Sequence, residues 1–192
     1  AWLPVLGGTG ISIDTPSAHY MLTSQVRNGR PITGLITGPG GTQSAVYQMG
    51  NNELVFWYTS QMARTTLELK PQKILILGGG AFTLPNYLGA TLPQSRIDVV
   101  EIDPVLEEIA VKHFRYSSPP NVRLIFDDAR AFLEKNTEQY DVVLVDVYGD
   151  DSIPFSLITT EYVRSLERGV SPNGVVLANI IAGFDGGACE EL

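Results

Sequence analysis

The stretch from Lys73 to Asp103 constrains the fold of this chain more than any other. It reads K-I-L-I-L-G-G-G-A-F-T and then I-D-V-V-E-I-D, which sets Glu101 about twenty residues beyond the glycines, the spacing between a glycine turn and a ribose acid. A short apolar run ends in Gly78, Gly79 and Gly80, and a second ends in Glu101 and Asp103. In an open α/β sheet both run ends fall on one rim. There a glycine turn lets a ligand approach the backbone, and an acid can grip a ribose. The expectation is a rim that binds an adenosine-type ligand.

The rest of the second half fits such a sheet. Strands are predicted at Lys73–Leu77, Ile97–Ile102, Val122–Phe126, Tyr140–Val145 and Val175–Ile181. Helices are predicted at Leu84–Ala90, from Asp103-Pro104 onward, at Ala129–Lys135, and from Thr159 or Thr160 to Arg168. Asp103 is the N-cap of its helix and Pro104 opens the first turn. Alternating strands and helices build a parallel, doubly wound α/β sheet. Successive strand ends carry Gly78, Glu101, Asp127 with Asp128, and Asp146. Four strand ends that each deliver a ligand-type residue to one rim exceed what packing requires.

Upstream, Tyr20–Val26, Ile32–Thr37 and Ser44–Met49 read as short strands separated by turn residues, which predicts hairpins or a small antiparallel sheet. Glu53–Leu69 reads as a helix, with Leu54, Tyr58, Met62, Thr65 and Leu69 at helical spacing, Asn52 as N-cap, and Lys70-Pro71 as its end. The expected organisation has three parts. Residues 1–13 are a tail or the remnant of a removed segment. Residues 14–70 are a small β-rich domain plus a connecting helix. Residues 71–192 are a Rossmann-like catalytic domain, truncated at its C-terminus.

Composition narrows the function classes. A chain that is 44% hydrophobic and 18% charged can bury a core and does not read as disordered. A net charge of −8 argues against a general nucleic-acid or anionic-membrane binder and suits a cationic substrate. Cys189 stands alone, so neither an internal disulfide nor a cysteine metal site is expected. His19 and His113 show no ligand spacing, and no metal is expected. No apolar run reaches the length of a membrane span.

The rim residues favour one ligand chemistry. A nicotinamide dehydrogenase wants a third small residue where Thr83 stands, and it has no use for Asp127, Asp128 or Asp146. A nucleoside–sulfonium ligand has a use for Glu101, Asp128 and Asp146. Glu101 would accept the ribose hydroxyls, Asp128 the adenine amino group, and the backbone of Ala129 would donate to the ring. Asp146 would lie opposite the reactive carbon. Such a ligand is an activated alkyl donor. Its transfer is a direct displacement in which the protein aligns the partners and removes a proton.

These residues resemble a known family. G-G-G after a strand, V-V-E-I-D-P, D-D-A-R-A-F-L and Y-D-V-V-L-V-D are similar to the spermidine synthases, the polyamine aminopropyltransferases. G-G-T-Q-S-A-V-Y and Y-T-S-Q-M upstream fit the same family. D-V-Y-G-D-D-S-I-P-F-S-L-I-T-T-E-Y-V is similar to the branch often fused to membrane segments. The resemblance covers roughly residues 15–182 and implies a methyltransferase-like Rossmann sheet preceded by a small β-region. It implies decarboxylated S-adenosylmethionine as co-substrate, no prosthetic group, and a diamine such as putrescine as acceptor, giving spermidine and methylthioadenosine. It implies Gly78, Gly79, Gly80, Glu101, Asp128 and Ala129 on the donor. Asp146 would be the proton acceptor, with Gln43, Tyr58, Asp150 and Asp151 at the substrate. A cytoplasmic setting, a homo-oligomer and membrane segments outside the chain are compatible with it.

Two departures stand out. The family places an aspartate after the third glycine, for the donor's terminal amine, and this chain has Ala81. The family's Tyr-His-Glu is Tyr58-Thr59-Ser60 here. These keep two alternatives open. One is an S-adenosylmethionine-dependent methyltransferase. The other is a non-catalytic ligand-sensing domain of a membrane protein.

Overall fold

The computed structural model describes residues 10–38, 41–147 and 159–180. Its first sheet is antiparallel, in the order β1 (Ile11–Asp14), β2 (His19–Arg27), β3 (Arg30–Thr37), β4 (Thr42–Tyr47). Asn28 and Gly29 both take positive φ, 51° and 72°, as a two-residue hairpin turn between β2 and β3 requires. Helix α1 (Trp57–Leu69) then leads into the second sheet.

That second sheet contains β5 (Lys73–Leu77), β6 (Arg96–Glu101), β7 (Val122–Phe126), β8 (Tyr140–Val145) and β9 (Val170–Ala178). Between them run α2 (Thr83–Thr91), α3 (Val105–His113), α4 (Ala129–Lys135) and α5 (Thr160–Arg168). All pairings are parallel and the order is β7-β6-β5-β8-β9. The order reverses between β5 and β8, and ligands of open α/β sheets bind at such a switch point. The architecture is therefore the expected doubly wound sheet behind a small antiparallel one.

Ile74, Leu75, Ile76 and Leu77 are all fully buried, because β5 is covered on both faces. Ile74 and Ile76 join a cluster with Val99, Leu106 and Ile109 that also takes in Tyr20, Leu22, Leu35 and Val46 of the first sheet. The two sheets thus share one continuous core. Leu75 and Leu77 join Val143, Leu133 and Tyr162 on the other face.

Several boundaries differ from the sequence reading. Helix α1 starts at Trp57, and its capping position is Phe56, without a side-chain cap, so Asn52 is not its N-cap. Residues 53–56 close the first sheet instead. Leu54 bridges to Val46, and Val55 is buried against Ile32, Ala45 and Tyr47. Residues 11–13, read as part of a tail, belong to β1, where Ile11 pairs with Leu22 and Ile13 with Tyr20. A four-residue strand is too short to show a period. Strand β9 begins at Val170, and Pro172-Asn173-Gly174 lie within it at a shift of register between Tyr140 and Val142. Asp103 does accept the Val105 N–H at 3.0 Å, as a capping acid should. Among the described residues no helix is long and apolar enough to cross a membrane.

One buried charge holds the far end of the parallel sheet. Asp98 is fully buried and accepts from Arg96 (2.8 Å), from Arg123 (2.8 and 3.0 Å) and from the Tyr140 hydroxyl (3.0 Å). Arg96 also reaches Glu138, which Lys73 joins, and these two cations hold the Glu138 carboxyl down to about 2. Asp98→Asn keeps the volume but removes the charge that two guanidinium groups answer. It is expected to cost about 2 kcal/mol, read as a lower urea midpoint with an unchanged slope.

Candidate active site

The glycine turn and the end of β8 are built into one another. Gly78 has φ 90°, and a Cβ added there would lie 2.2 Å from the Asp146 carbonyl oxygen. The Gly78 N–H donates to the Val100 carbonyl at 2.9 Å, and the Asp146 N–H donates to the Leu77 carbonyl at 2.8 Å. Only glycine lets the two strand ends come this close. At Gly80, with φ 50°, a Cβ would stand 2.7 Å from the Ser44 hydroxyl oxygen of β4. That hydroxyl accepts the Ala81 N–H at 3.1 Å. The first sheet thereby touches the turn directly.

Glu101, 7% exposed, lies under the same turn. One of its oxygens accepts the N–H groups of Gly79 (2.8 Å) and Gly80 (3.0 Å), and the other accepts the Asp103 N–H (3.0 Å). A carboxylate offers about four lone-pair sites. Three donors leave room for one ligand hydroxyl, and a second needs a turn N–H to give way. Asp103, 1% exposed, is fixed in turn by the hydroxyls of Thr15 (2.5 Å), in the connection between β1 and β2, and Tyr20 (3.0 Å) of β2. Burial and the charges of Asp103 and Glu101 push the Tyr20 phenol well above its ordinary value.

Asp128 stands beyond β7. One of its oxygens caps α4 by accepting the Ala131 N–H at 2.9 Å, and Ala129 is buried behind it. The Asp127 N–H donates to the Glu101 carbonyl at 3.1 Å, which joins this strand end to the preceding one. Tyr162 on α5 feels the charge of Asp128. Its buried hydroxyl has no hydrogen-bond partner among the described residues, and burial pushes it up to about 12.

Asp146 carries the other half of the constellation. The Tyr58 hydroxyl, from α1, donates to one of its oxygens at 3.3 Å. The Asn179 amide, beyond β9, donates to the other at 2.9 Å. Burial raises the Asp146 carboxyl above its ordinary range, and the donors Asn179 and then Tyr58 pull it back in part. Gln43 is the extra residue of a bulge in β4, since Leu35 pairs with Ser44 and Ile36 with Thr42. Its side-chain oxygen accepts from the Thr37 hydroxyl at 2.6 Å. Bulges re-aim side chains near functional sites.

The structure therefore brings Tyr58 to Asp146, Gly79 and Gly80 to Glu101, and Ser44, the neighbour of Gln43, to Ala81. Asp150 and Asp151 lie outside the described residues. Among the described residues no group of three metal-ligating side chains gathers. Sequence reasoning missed Asn179, Ser44 and the pair Thr15 and Tyr20. Asn179 was within reach of it, because it follows a fifth strand end as Asp146 follows the fourth.

Comparison with known proteins finds a matching family model and similar proteins. The spermine/spermidine synthase domain model matches residues 55–180. A polyamine aminopropyltransferase of Vibrio vulnificus (strain CMCP6) is 32% identical over 142 residues, covering 71% of this chain and 48% of that protein. This chain thus spans about half the length of that relative. Putrescine N-methyltransferase 2 of Nicotiana tabacum is 33% identical over 112 residues, covering 55% of this chain and 31% of that protein. The solved structure of a probable spermidine synthase from Corynebacterium glutamicum ATCC 13032 superposes with a TM-score of 0.73 at 24% identity. It covers 90% of this chain and 64% of that one, a likeness of fold. With more than half of its length matched by the family model, and with the glycine turn and all three acid-bearing strand ends inside the matched region, the chain belongs to the spermine/spermidine synthase family.

Proposed function

We propose that this chain transfers an aminopropyl group from decarboxylated S-adenosylmethionine to a diamine such as putrescine, releasing spermidine and methylthioadenosine. The observation that carries the reading is the Asp146 carboxylate. It is held between Tyr58 and Asn179, and the backbone of Asp146 packs against Gly78 of the turn that would cradle the donor. The amine nitrogen attacks the propyl carbon bonded to the sulfonium. The carbon–sulfur bond breaks, its electrons neutralise the sulfur, and the proton shed by the amine goes to Asp146. Glu101 would hold the ribose, and Asp128 with the Ala129 N–H the adenine. Gly78, Gly79 and Gly80 would line the donor's tail. Gln43, Tyr58, Asp150 and Asp151 would face the substrates. The acidic character of the chain supports a cationic acceptor.

Methyl transfer from intact S-adenosylmethionine is the second reading. Position 81 favours it, because Ala81 is fully buried and its N–H is taken by Ser44, so the turn offers no acid there to a donor's terminal amine. The name of the tobacco relative, a methyltransferase acting on putrescine, points the same way. Calorimetric titration with both donors separates the readings. The aminopropyl reading expects the decarboxylated donor to bind about tenfold more tightly, the scale of one charged contact. Tighter binding of the intact donor overturns it.

A further inference from the structure

We propose that Asn179 is the positioning residue of the Asp146 carboxylate: its amide fixes one oxygen and leaves the other, beside the Tyr58 hydroxyl, to meet the attacking amine. The inference rests on the aminopropyl reading for its chemistry, but on geometry for the contact itself.

Strands β8 and β9 run parallel and in register, with Val145 opposite Ala178. The next residue on each strand is therefore Asp146 on one and Asn179 on the other. The Asn179 N–H donates to the Val145 carbonyl at 2.9 Å, so its own backbone is pinned. Its side-chain nitrogen then meets the Asp146 oxygen at 2.9 Å. A carboxylate only accepts, so the contact fixes which end of the amide faces it.

The choice of an amide has a chemical consequence. Burial disfavours the charged form of Asp146, and a donor on that form restores part of it. Lysine or arginine would hold the acid more firmly, but would repel a cationic diamine from the carboxylate it must approach. An amide stabilises the anion without adding charge. Among the described residues the groups bonded to the Asp146 carboxyl are Tyr58 from α1 and Asn179 just beyond β9, while Gly78 meets the Asp146 backbone. No charged side chain among the described residues contributes to the shift of its carboxyl.

Three variants of the full chain test the role: Asn179→Leu, Asn179→Asp and Asn179→Gln. The readouts are the carbon-13 titration of the Asp146 carboxyl, turnover of putrescine with the decarboxylated donor, and the Kd of methylthioadenosine. Asn179→Leu should move the carboxyl midpoint upward. It should lower kcat by roughly tenfold to a hundredfold, the worth of a hydrogen bond to a charged group, with the nucleoside Kd unchanged. Asn179→Asp, close to isosteric, should move the midpoint further, because two adjoining carboxylates share a proton. Asn179→Gln should restore part of both. A midpoint that stays in place in both the Leu and the Asp variants overturns the inference. So does a loss of nucleoside affinity that matches the loss of kcat. If the wild-type chain turns over no amine while the Leu and Asp variants still show the shifted midpoints, the aminopropyl reading fails and the positioning contact stands.

Discussion

Asp146→Asn should lower kcat for aminopropyl transfer by about 10²- to 10⁴-fold, the usual worth of a general base, with the donor Kd changed less than about twofold. Asparagine keeps the shape and can still meet Tyr58, but it cannot take a proton from the amine. The donor contacts assigned to Glu101, Asp128 and the glycine turn involve no side-chain atom of Asp146, which is why binding and turnover should separate. The same variant should unfold at a higher temperature than the wild type at pH 7. The sign follows from burial, which raises the folded carboxyl above its ordinary value of about 3.9. The protonated acid fits the fold, so its contribution is fully present below the unfolded value and lost as pH rises through the raised folded one. At neutral pH the ionised Asp146 therefore weakens the fold, and the gain of the Asn variant should fade in melts run at progressively lower pH. Unchanged turnover with every amine would remove Asp146 from the mechanism.

What could be read from the sequence follows burial. Strands β5, β6 and β8 stand out because both of their faces are covered, and their ends could be placed on one rim from topology alone. The start of α1 misled because Leu54, Val55 and Phe56 are apolar for another reason: they extend along the first sheet and seal it beside Tyr47. The long-range partners were out of reach. Tyr58 and Asp146 stand 88 residues apart, as do Thr15 and Asp103, and no local period records such a meeting. Asp98 hid for a related reason. A lone acid in a β-type run looks like a solvent-facing position, and only the fold shows that Arg96, Arg123 and Tyr140 converge on it. The glycine turn was legible as a turn. That its first glycine serves the packing of Asp146, as well as any ligand, was not.

Gly78→Ala turns that double service into an expected loss of about 4 kcal/mol in stability together with loss of activity. Two costs add. A side chain at φ 90° meets the steric penalty of the left-handed region, about 1–2 kcal/mol. The new methyl would also lie 2.2 Å from the Asp146 carbonyl oxygen, 2.8 Å from its carbon and 3.2 Å from the Val147 nitrogen. All three are backbone atoms, so no side chain can swing aside. Overpacking of this kind costs about 1–3 kcal/mol more. Relief can come only by parting β5 from β8, which the Asp146 N–H to Leu77 bond resists. Any such parting carries Asp146 away from the glycine turn, and Asn179 with it, since β9 is bonded to β8. Gly29→Ala is the control, since Gly29 also has positive φ, 72°, but nothing lies within 4 Å of its added Cβ. It should cost only about 1 kcal/mol and leave turnover intact. Urea unfolding and kcat on the two variants decide the point. If Gly78→Ala proves as mild as Gly29→Ala, the turn and the carboxylate are not built into one another, and Asp146 is placed by β8 alone.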